Sequence, residues 1–464
     1  MTKYLNGHSS LVFFIILLFA TAGVYKNKEK ISDIEAKVDA YVKPYIDAGG
    51  FGGSILIARG DKILLSKGYG MANVEFSVPN SPKTKFQIAS LSKTFTASAI
   101  MMLQERGGLS INDPLSKFIP DYPNGNQITI HHLLTHTSGI PNVNDFPDYD
   151  QKSRFPQSLE QIIEMFKQKP LEFQPGEKYS YSNSNYNLLA YVIEKVSGMS
   201  YGTFLKKCIF EPLDMKDTGH HGDASAIVAH LASGYQPSGA WGIEKSPYLD
   251  WSMKTGNGSL YSTVEDLYKW DRSLYTETIL SKRSLDKMFK EHLEGVGYGW
   301  FVGKRFGKRI TRYNGRSPGY TSYLERYIDD DACIIVLSNN YAPVPHIIIN
   351  DLAAILFGEK YSVPEEVRPV SLDPNTMSAY IGRYRFGSDF YRPNAVVSVI
   401  GEEDHISFAW TETYKTPLRP LSETTFLDRT FWATILFQKN SNGEVTGLIW
   451  RDSRDYAANK INEK

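Results

Sequence analysis

Only two cysteines, Cys208 and Cys333, occur in 464 residues. They stand too far apart and too few in number to frame a disulfide-stapled fold. Neither has the neighbours of a catalytic or metal-binding thiol, so both are expected as buried free thiols, with a disulfide the alternative that an oxidising compartment permits. Net charge is missing too: 51 Lys and Arg balance 51 Asp and Glu, which argues against a nucleic-acid-binding surface. No internal repeat or low-complexity tract is present, so a repeat architecture is excluded. The apolar run near the start, LVFFIILLFATAG after Lys3, is too short for a comfortable membrane span. Ala20-Thr21-Ala22 supplies the small-x-small pattern of a cleavage site, so residues 1–22 read as a signal peptide cut before Gly23. An uncleaved N-terminal anchor is the alternative. No cysteine follows the run, which speaks against a lipoprotein. The expected location is exported, periplasmic or associated with the cell envelope.

The length suffices for two or three domains with a substantial core. Hydrophobic residues make up 42% and tyrosine is abundant, at 29. Ile31, Ile34, Val38, Tyr41, Val42, Tyr45 and Ile46 mark one face of a helix that Gly49-Gly50 ends. GGSILIAR and KILLSKGYG follow as a hairpin. From about 90 to 300 the pattern is mainly helical. Strand character returns at 310–338, and INDLAAILFG reads as a last helix. Strands at both ends of a helical middle predict an α/β domain whose terminal segments share one sheet. VPEEVRPVSLDPN, 363–375, reads as a linker. Beyond it, AYIGRYRF, AVVSVI, HISFAW, TTFLD, WATILFQK and VTGLIW recur at about ten-residue spacing, with an Asn442-Gly443 hairpin signal, which predicts a small β-barrel or sandwich over 376–464.

Two segments carry residues suited to chemistry. In FQIASLSKTFTASAIMMLQERGG, 86–108, a helix starting near Ser90 is apolar or small on almost every side and hence buried. Ser90 and Lys93, three apart, share a face. A buried lysine in a first helical turn loses solvation and opposes the helix dipole, and both effects favour the neutral amine that a serine nucleophile needs beside it. The same pattern also describes an ordinary capped helix start with Lys93 at the surface. A second copy, Ser284-Leu-Asp-Lys287, lies in a charged, surface-like helix and is expected to be solvated and inert. In PGEKYSYSNSNYNLLAYVIEKVSG, 175–198, a Tyr/Ser/Asn loop enters an amphipathic helix. A phenol there can relay protons and an amide can orient a lysine, although Asn and Ser are also usual at helix entries.

Taken together, ASLSKTFTA, PGEKYSYSN and a late glycine-bearing strand turn resemble serine β-lactamases, penicillin-binding carboxypeptidases and their esterase and D-aminopeptidase relatives. ITIHHLLTHTSGIP, IFEPLDMKDTG, GNGSLYSTVEDLYKW and YGWFVG add to the likeness, which runs from about 30 to 362. It is strongest for the class C branch, and the tail is similar to the lipocalin-like barrel of some peptidase members. The resemblance implies a β-lactamase-like antiparallel sheet flanked by helices, an all-α subdomain and no cofactor. It implies Ser90 as acylating nucleophile, Lys93 as base, Tyr181 as proton relay (with Tyr179 an imperfect rival) and Asn183 as a substrate-side amide. Tyr313-Asn314-Gly315 stands where Lys-Thr-Gly or His-x-Gly is expected, so a phenol replaces a cation. Gly315 leaves room for a substrate backbone, and the amides of Ser90 and Arg316 are the implied oxyanion donors. Arg312 or Arg316 is the candidate for a compensating positive charge.

The implied function is an exported serine hydrolase acting on amide or ester bonds of small molecules or peptides. The alternative is a non-catalytic binding or sensing protein that keeps the fold. His132 and His136 have metal-pair spacing but lack the HExxH glutamate and a third ligand, so they are expected to anchor a loop below the site. His220-His221 reads as a solvated loop.

Overall fold

The computed structural model describes residues 33–461 apart from 240, 241, 369, 413 and 453. The 1–22 export segment and Ile31 lie outside the described residues. Helix α1 spans residues 33–47 and buries Ile34, Val38, Tyr41, Val42 and Tyr45, the face its periodicity marks. The chain leaves it through Gly49, whose φ of +67° suits glycine. Strands β1 (Gly53–Arg59) and β2 (Lys62–Tyr69) form the expected hairpin.

Helix α2 spans Lys93–Glu105 and α3 spans Asn183–Ser197. Four late strands follow: β3 (Phe301–Arg305), β4 (Lys308–Ser317), β5 (Tyr320–Tyr327) and β6 (Ala332–Ser338). The sheet order is β3-β4-β5-β6-β1-β2, antiparallel at every junction. Both chain ends of the domain thus meet where β6 pairs with β1.

Central strands of this sheet are buried on both faces, which is why they read as unbroken apolar runs. Alternation still sorts them. Cys333, Ile335 and Leu337 of β6 join the core that contains α2 and α3. Ala332, Ile334 and Val336 join the opposite core, with α1 and the last helix α4 (Val344–Phe357).

The described residues of 363–373 carry no regular structure, and a short helix, Pro374–Ser378, precedes a closed barrel. Its eight antiparallel strands are β7 (Gly382–Phe386), β8 (Val396–Gly401), β9 (Ile406–Ala409), β10 (Lys415–Pro420), β11 (Thr425–Asp428), β12 (Ala433–Lys439), β13 (Val445–Arg451) and β14 (Asp455–Ile461). Pairing of β7 with β14 closes it. Tyr384, Phe386, Phe408, Phe426, Phe437 and Trp450 fill its interior, as eight strands leave just enough room for side chains. The barrel rests on the α/β domain through the loop after β11. Trp432 packs its ring 5.3 Å from that of Tyr45, and a Cβ on Gly50 would lie 1.9 Å from the same indole. The glycine pair after α1 therefore makes room for the barrel as well as ending a helix.

Three expectations are corrected. Cys208 is only half-buried, with Arg106 Nη1 3.5 Å from its sulfur, while Cys333 is buried and free. Ser284 is buried rather than solvated, because its helix packs that side inward and its amide bonds to the Ser281 hydroxyl. His220-His221 is not a solvated loop. Gly219–His220 is a short strand paired with Leu260–Ser262, His220 Nε2 lies 3.3 Å from Thr255 Oγ1, and burial lowers the His220 pKa to about 4.

Candidate active site

The nucleophile candidate does not sit on an α-helix. Residues Ala89–Ser92 form a 3-10 turn, and α2 begins only at Lys93. Ala89 adopts φ +47°, a conformation that costs a non-glycine residue energy and is retained where surroundings over-determine it. Those surroundings are visible. Ser322 Oγ of β5 donates to Ile88 O at 2.7 Å, and Leu260 N donates to Ser92 Oγ at 3.1 Å. Gly315 of β4 lies so close that a Cβ there would stand 2.8 Å from Ser90 N and 2.3 Å from Ile88 O. The sheet thus holds the turn by its backbone.

Lys93 is fully buried. Its Nζ lies 3.1 Å from Ser90 Oγ, 2.9 Å from Asn183 Oδ1 and 2.7 Å from Asn257 O. The last two can only accept. Two N–H bonds serve them, leaving the lone pair of a neutral amine for the serine proton. Burial, then the nearby Lys254 charge, holds the Lys93 pKa well below its usual value. Tyr181 donates to Ser90 Oγ at 2.9 Å and approaches Asn183 Oδ1 at 3.3 Å. Burial raises its pKa to about 12 against the lowering contacts of Ser90 and Tyr313. Asn183 is itself fixed, by Asn144 Oδ1 at 2.9 Å and Asn142 Oδ1 at 3.0 Å. Ser90, Lys93, Tyr181 and Asn183 therefore form one hydrogen-bonded cluster. Tyr179 lies aside, its ring edge-on to His136.

On the opposite wall, β3 pairs with β4 only as far as Arg312, leaving the edge at 313–317 open beside Ser90. Tyr313 is buried, its ring 5.3 Å from Phe301. Its hydroxyl completes no hydrogen bond among the described residues, and burial raises its pKa well above that of a free phenol. Neither arginine offers the site a free charge. Arg312 Nη1 bonds Tyr323 OH at 2.9 Å. Arg316 turns to the barrel, with Nε on Tyr341 O at 2.9 Å, Nη2 on Thr430 O at 2.8 Å and its guanidinium 3.9 Å above the Tyr341 ring. Lys254 lines the same cavity of about 330 Å³ with Asn257 and Asn144. These three were missed in the sequence. KTGNGS shows only turn chemistry, and side-chain direction depends on the tertiary path.

His136 lies beneath the cluster, its ring 4.6 Å from that of Tyr181 and its Nδ1 accepting from Ser182 N at 3.2 Å. His132 serves a capping box with Thr129. Both anchor loops, and no metal-holding cluster of His, Cys, Asp or Glu occurs among the described residues. A larger cavity, about 680 Å³, lies elsewhere, beside His220 and Lys206; among the described residues lining it no serine hydroxyl is hydrogen-bonded to a lysine.

Comparisons with known proteins give the family of the chain. The family model described as Beta-lactamase matches residues 35–356. Penicillin-binding protein 4* of Bacillus subtilis (strain 168) is 30% identical over 435 residues, covering 88% of this chain and 94% of that protein. A putative penicillin-binding protein of the same strain is 32% identical over 319 residues, covering 68% and 76%. The solved octameric penicillin-binding protein homologue from Pyrococcus abyssi superposes with a TM-score of 0.64 at 27% identity, over 92% of this chain and 99% of that one. With the family match over 35–356, the chain belongs to the beta-lactamase family of penicillin-binding-protein-like serine hydrolases.

Proposed function

We propose that the protein hydrolyses amide or ester bonds of small peptides or esters through an acyl-enzyme on Ser90. The observation that carries this reading is the Lys93 amine, buried, 3.1 Å from Ser90 Oγ and directed by two acceptors. Ser90 Oγ attacks the carbonyl carbon as its proton passes to Lys93 Nζ. The negative charge moves to the carbonyl oxygen, between the amides of Ser90 and Arg316. The carbon–nitrogen or carbon–oxygen bond then breaks, and the leaving group takes a proton through Tyr181. Water attacks the acyl carbon, the acid departs and Ser90 regains its proton. Residues 313–317 offer an edge along which a substrate backbone can pair.

Tyr313 brings no cation to the position held by Lys or His in the resemblance, which supports esterase or aminopeptidase-like chemistry over carboxypeptidase or β-lactamase activity. The same substitution motivates a second reading, a binding or sensing protein that keeps the fold. Export to the cell envelope rests on the N-terminal apolar run. The reading is tested by screening p-nitrophenyl esters, D- and L-amino-acid anilides and a chromogenic cephalosporin against wild type and Ser90→Ala. Ester or anilide turnover that Ser90→Ala abolishes is expected. Turnover confined to the cephalosporin would overturn the preference for esterase chemistry, and no serine-dependent turnover would favour the binding protein.

A further inference from the structure

Within the sheet, the end of β4 beside Ser90 is held from one side only. It pairs with β5 through Arg316 and Ser317, opposite Thr321 and Tyr320, but β3 leaves it after Arg312. Gly315 faces the Ser90 turn, so strand alternation sends the next side chain, Arg316, to the other face. There it meets the barrel. Its Nε donates to Tyr341 O at 2.9 Å and its Nη2 to Thr430 O at 2.8 Å. The guanidinium lies 3.9 Å from the Tyr341 ring centroid and 5.3 Å from that of Phe431. One planar cation thus joins β4, the loop after β6 and the barrel loop.

That barrel loop is itself braced. Asp428 is fully buried. Its Oδ1 accepts from Thr430 N at 2.9 Å and Phe431 N at 3.0 Å, and its Oδ2 accepts from Thr416 Oγ1 at 2.7 Å. The turn that presents Thr430 O is therefore tied to β10 inside the barrel. Its flanks are tied to the α/β domain. Arg429 Nη1 donates to Gly242 O at 2.8 Å, and Trp432 packs against Tyr45. A barrel that added only stability could dock on any apolar face. This one sets a carbonyl and an aromatic ring on the side chain of the residue whose amide is the second oxyanion donor of the proposed mechanism. We propose that the barrel loop Asp428–Trp432 is a positioning element of the active site, which clasps Arg316 so that the β4 amide stays aimed at the reacting carbonyl oxygen. Oxyanion donors act through fixed placement, so loosening the strand costs rate rather than substrate affinity. The inference rests on the hydrolase reading for its kinetic consequence, but the mechanical link can be read without turnover.

Arg316→Met keeps the aliphatic stem and removes the clasp. With p-nitrophenyl acetate, kcat and kcat/KM are measured per Ser90 labelled at completion by a fluorophosphonate, which removes any loss of folded protein from the comparison. Both constants fall together in Arg316→Met, by on the order of tenfold to a hundredfold. Arg316→Lys keeps the charge over Tyr341 but serves one carbonyl, and recovers part of the rate. Phe431 does not line the Ser90 cavity, yet Phe431→Leu, which keeps apolar volume in the barrel, lowers both constants by about threefold. Joined to Arg316→Met it adds nothing, since both act through one contact. Unchanged kcat in Arg316→Met, a loss confined to KM, or additive losses in the double variant overturn the proposal. Hydrogen exchange in the peptide containing 313–317 reads the clasp alone. If wild type hydrolyses no ester, the hydrolase reading has failed and exchange decides. Faster exchange in both Arg316→Met and Phe431→Leu then supports the clasp, and exchange equal to wild type in either overturns it.

Discussion

Lys93→Met lowers kcat/KM toward an activated ester by about a hundredfold to ten-thousandfold, the range for loss of a positioned proton acceptor. Methionine has nearly the length of the lysine stem and keeps the packing, so the loss is chemical. The pH profile makes the attribution specific. Burial and Lys254 hold the Lys93 pKa well below the usual 10.5, so wild-type kcat/KM rises as pH passes that depressed value and then levels. Tyr181 titrates at about 12 and imposes no loss below that. The same displacement acts on stability with a definite sign. Between the depressed pKa and 10.5 the unfolded chain binds the lysine proton and the folded chain does not, so stability rises with pH across that window. Below it, the folded protein must hold a buried ammonium. Lys93→Met removes that burden, and its melting temperature should exceed that of wild type most at acid pH. A variant that keeps wild-type kcat/KM, or that is destabilised most at acid pH, contradicts the role given to this amine.

Gly315→Ala is expected to lower kcat/KM by at least about a hundredfold, although it adds a single methyl group far smaller than a substrate. The new carbon would meet Ile88 O at 2.3 Å, Ser322 Oγ at 2.6 Å and Ser90 N at 2.8 Å. Two of these are backbone atoms and cannot swing aside. Either β4 or the nucleophile turn must shift, and a shift of about 1 Å in a reacting group costs about a hundredfold in rate. The strained Ala89 and the Ser322 bond to Ile88 O lie in the path of that shift. Thermal stability should also fall, by about 1–3 kcal/mol for overpacking. Gly303→Ala, on neighbouring β3 with nothing within 4 Å of its added carbon, is the control and should leave kcat/KM unchanged. Equal kinetics for Gly315→Ala and wild type would show that the close approach of sheet and turn is not needed.

Much of the fold was legible because its signals are local. The α1 stripe, the β1–β2 hairpin and the unbroken apolar run of β6 follow from periodicity alone. Two barrel strands escaped for physical reasons. KTPLRP carries Pro417 and Pro420, which read as breaks, and DYAANKI puts only Tyr456 and Ala458 into the core, too short an apolar pattern to stand out. The reactive quartet was legible through the resemblance of its two motifs, Ser90 with Lys93 and Tyr181 with Asn183, whose spacing alone also fits ordinary helix starts. What joins them was not. The 3-10 turn depends on Ala89 being forced to positive φ by strands some 230 residues away in the chain. Arg316 could be placed on the strand beside the site, but only the barrel loop at Thr430 and Phe431 explains why its guanidinium leaves the site. Lys254 and Asn257 looked like turn residues, and their contribution emerges only when that turn is laid against α2.

The central claim is that Ser90 is a nucleophile made reactive by Lys93. Incubation of intact wild type, Ser90→Ala and Lys93→Met with a fluorophosphonate, followed by mass spectrometry of the digested protein, tests it most directly. A single stoichiometric adduct on the peptide containing Ser90 is predicted for wild type, with none in Ser90→Ala and much slower labelling in Lys93→Met. Wild type that stays unlabelled at Ser90, or that is modified at the same rate without Lys93, would contradict it.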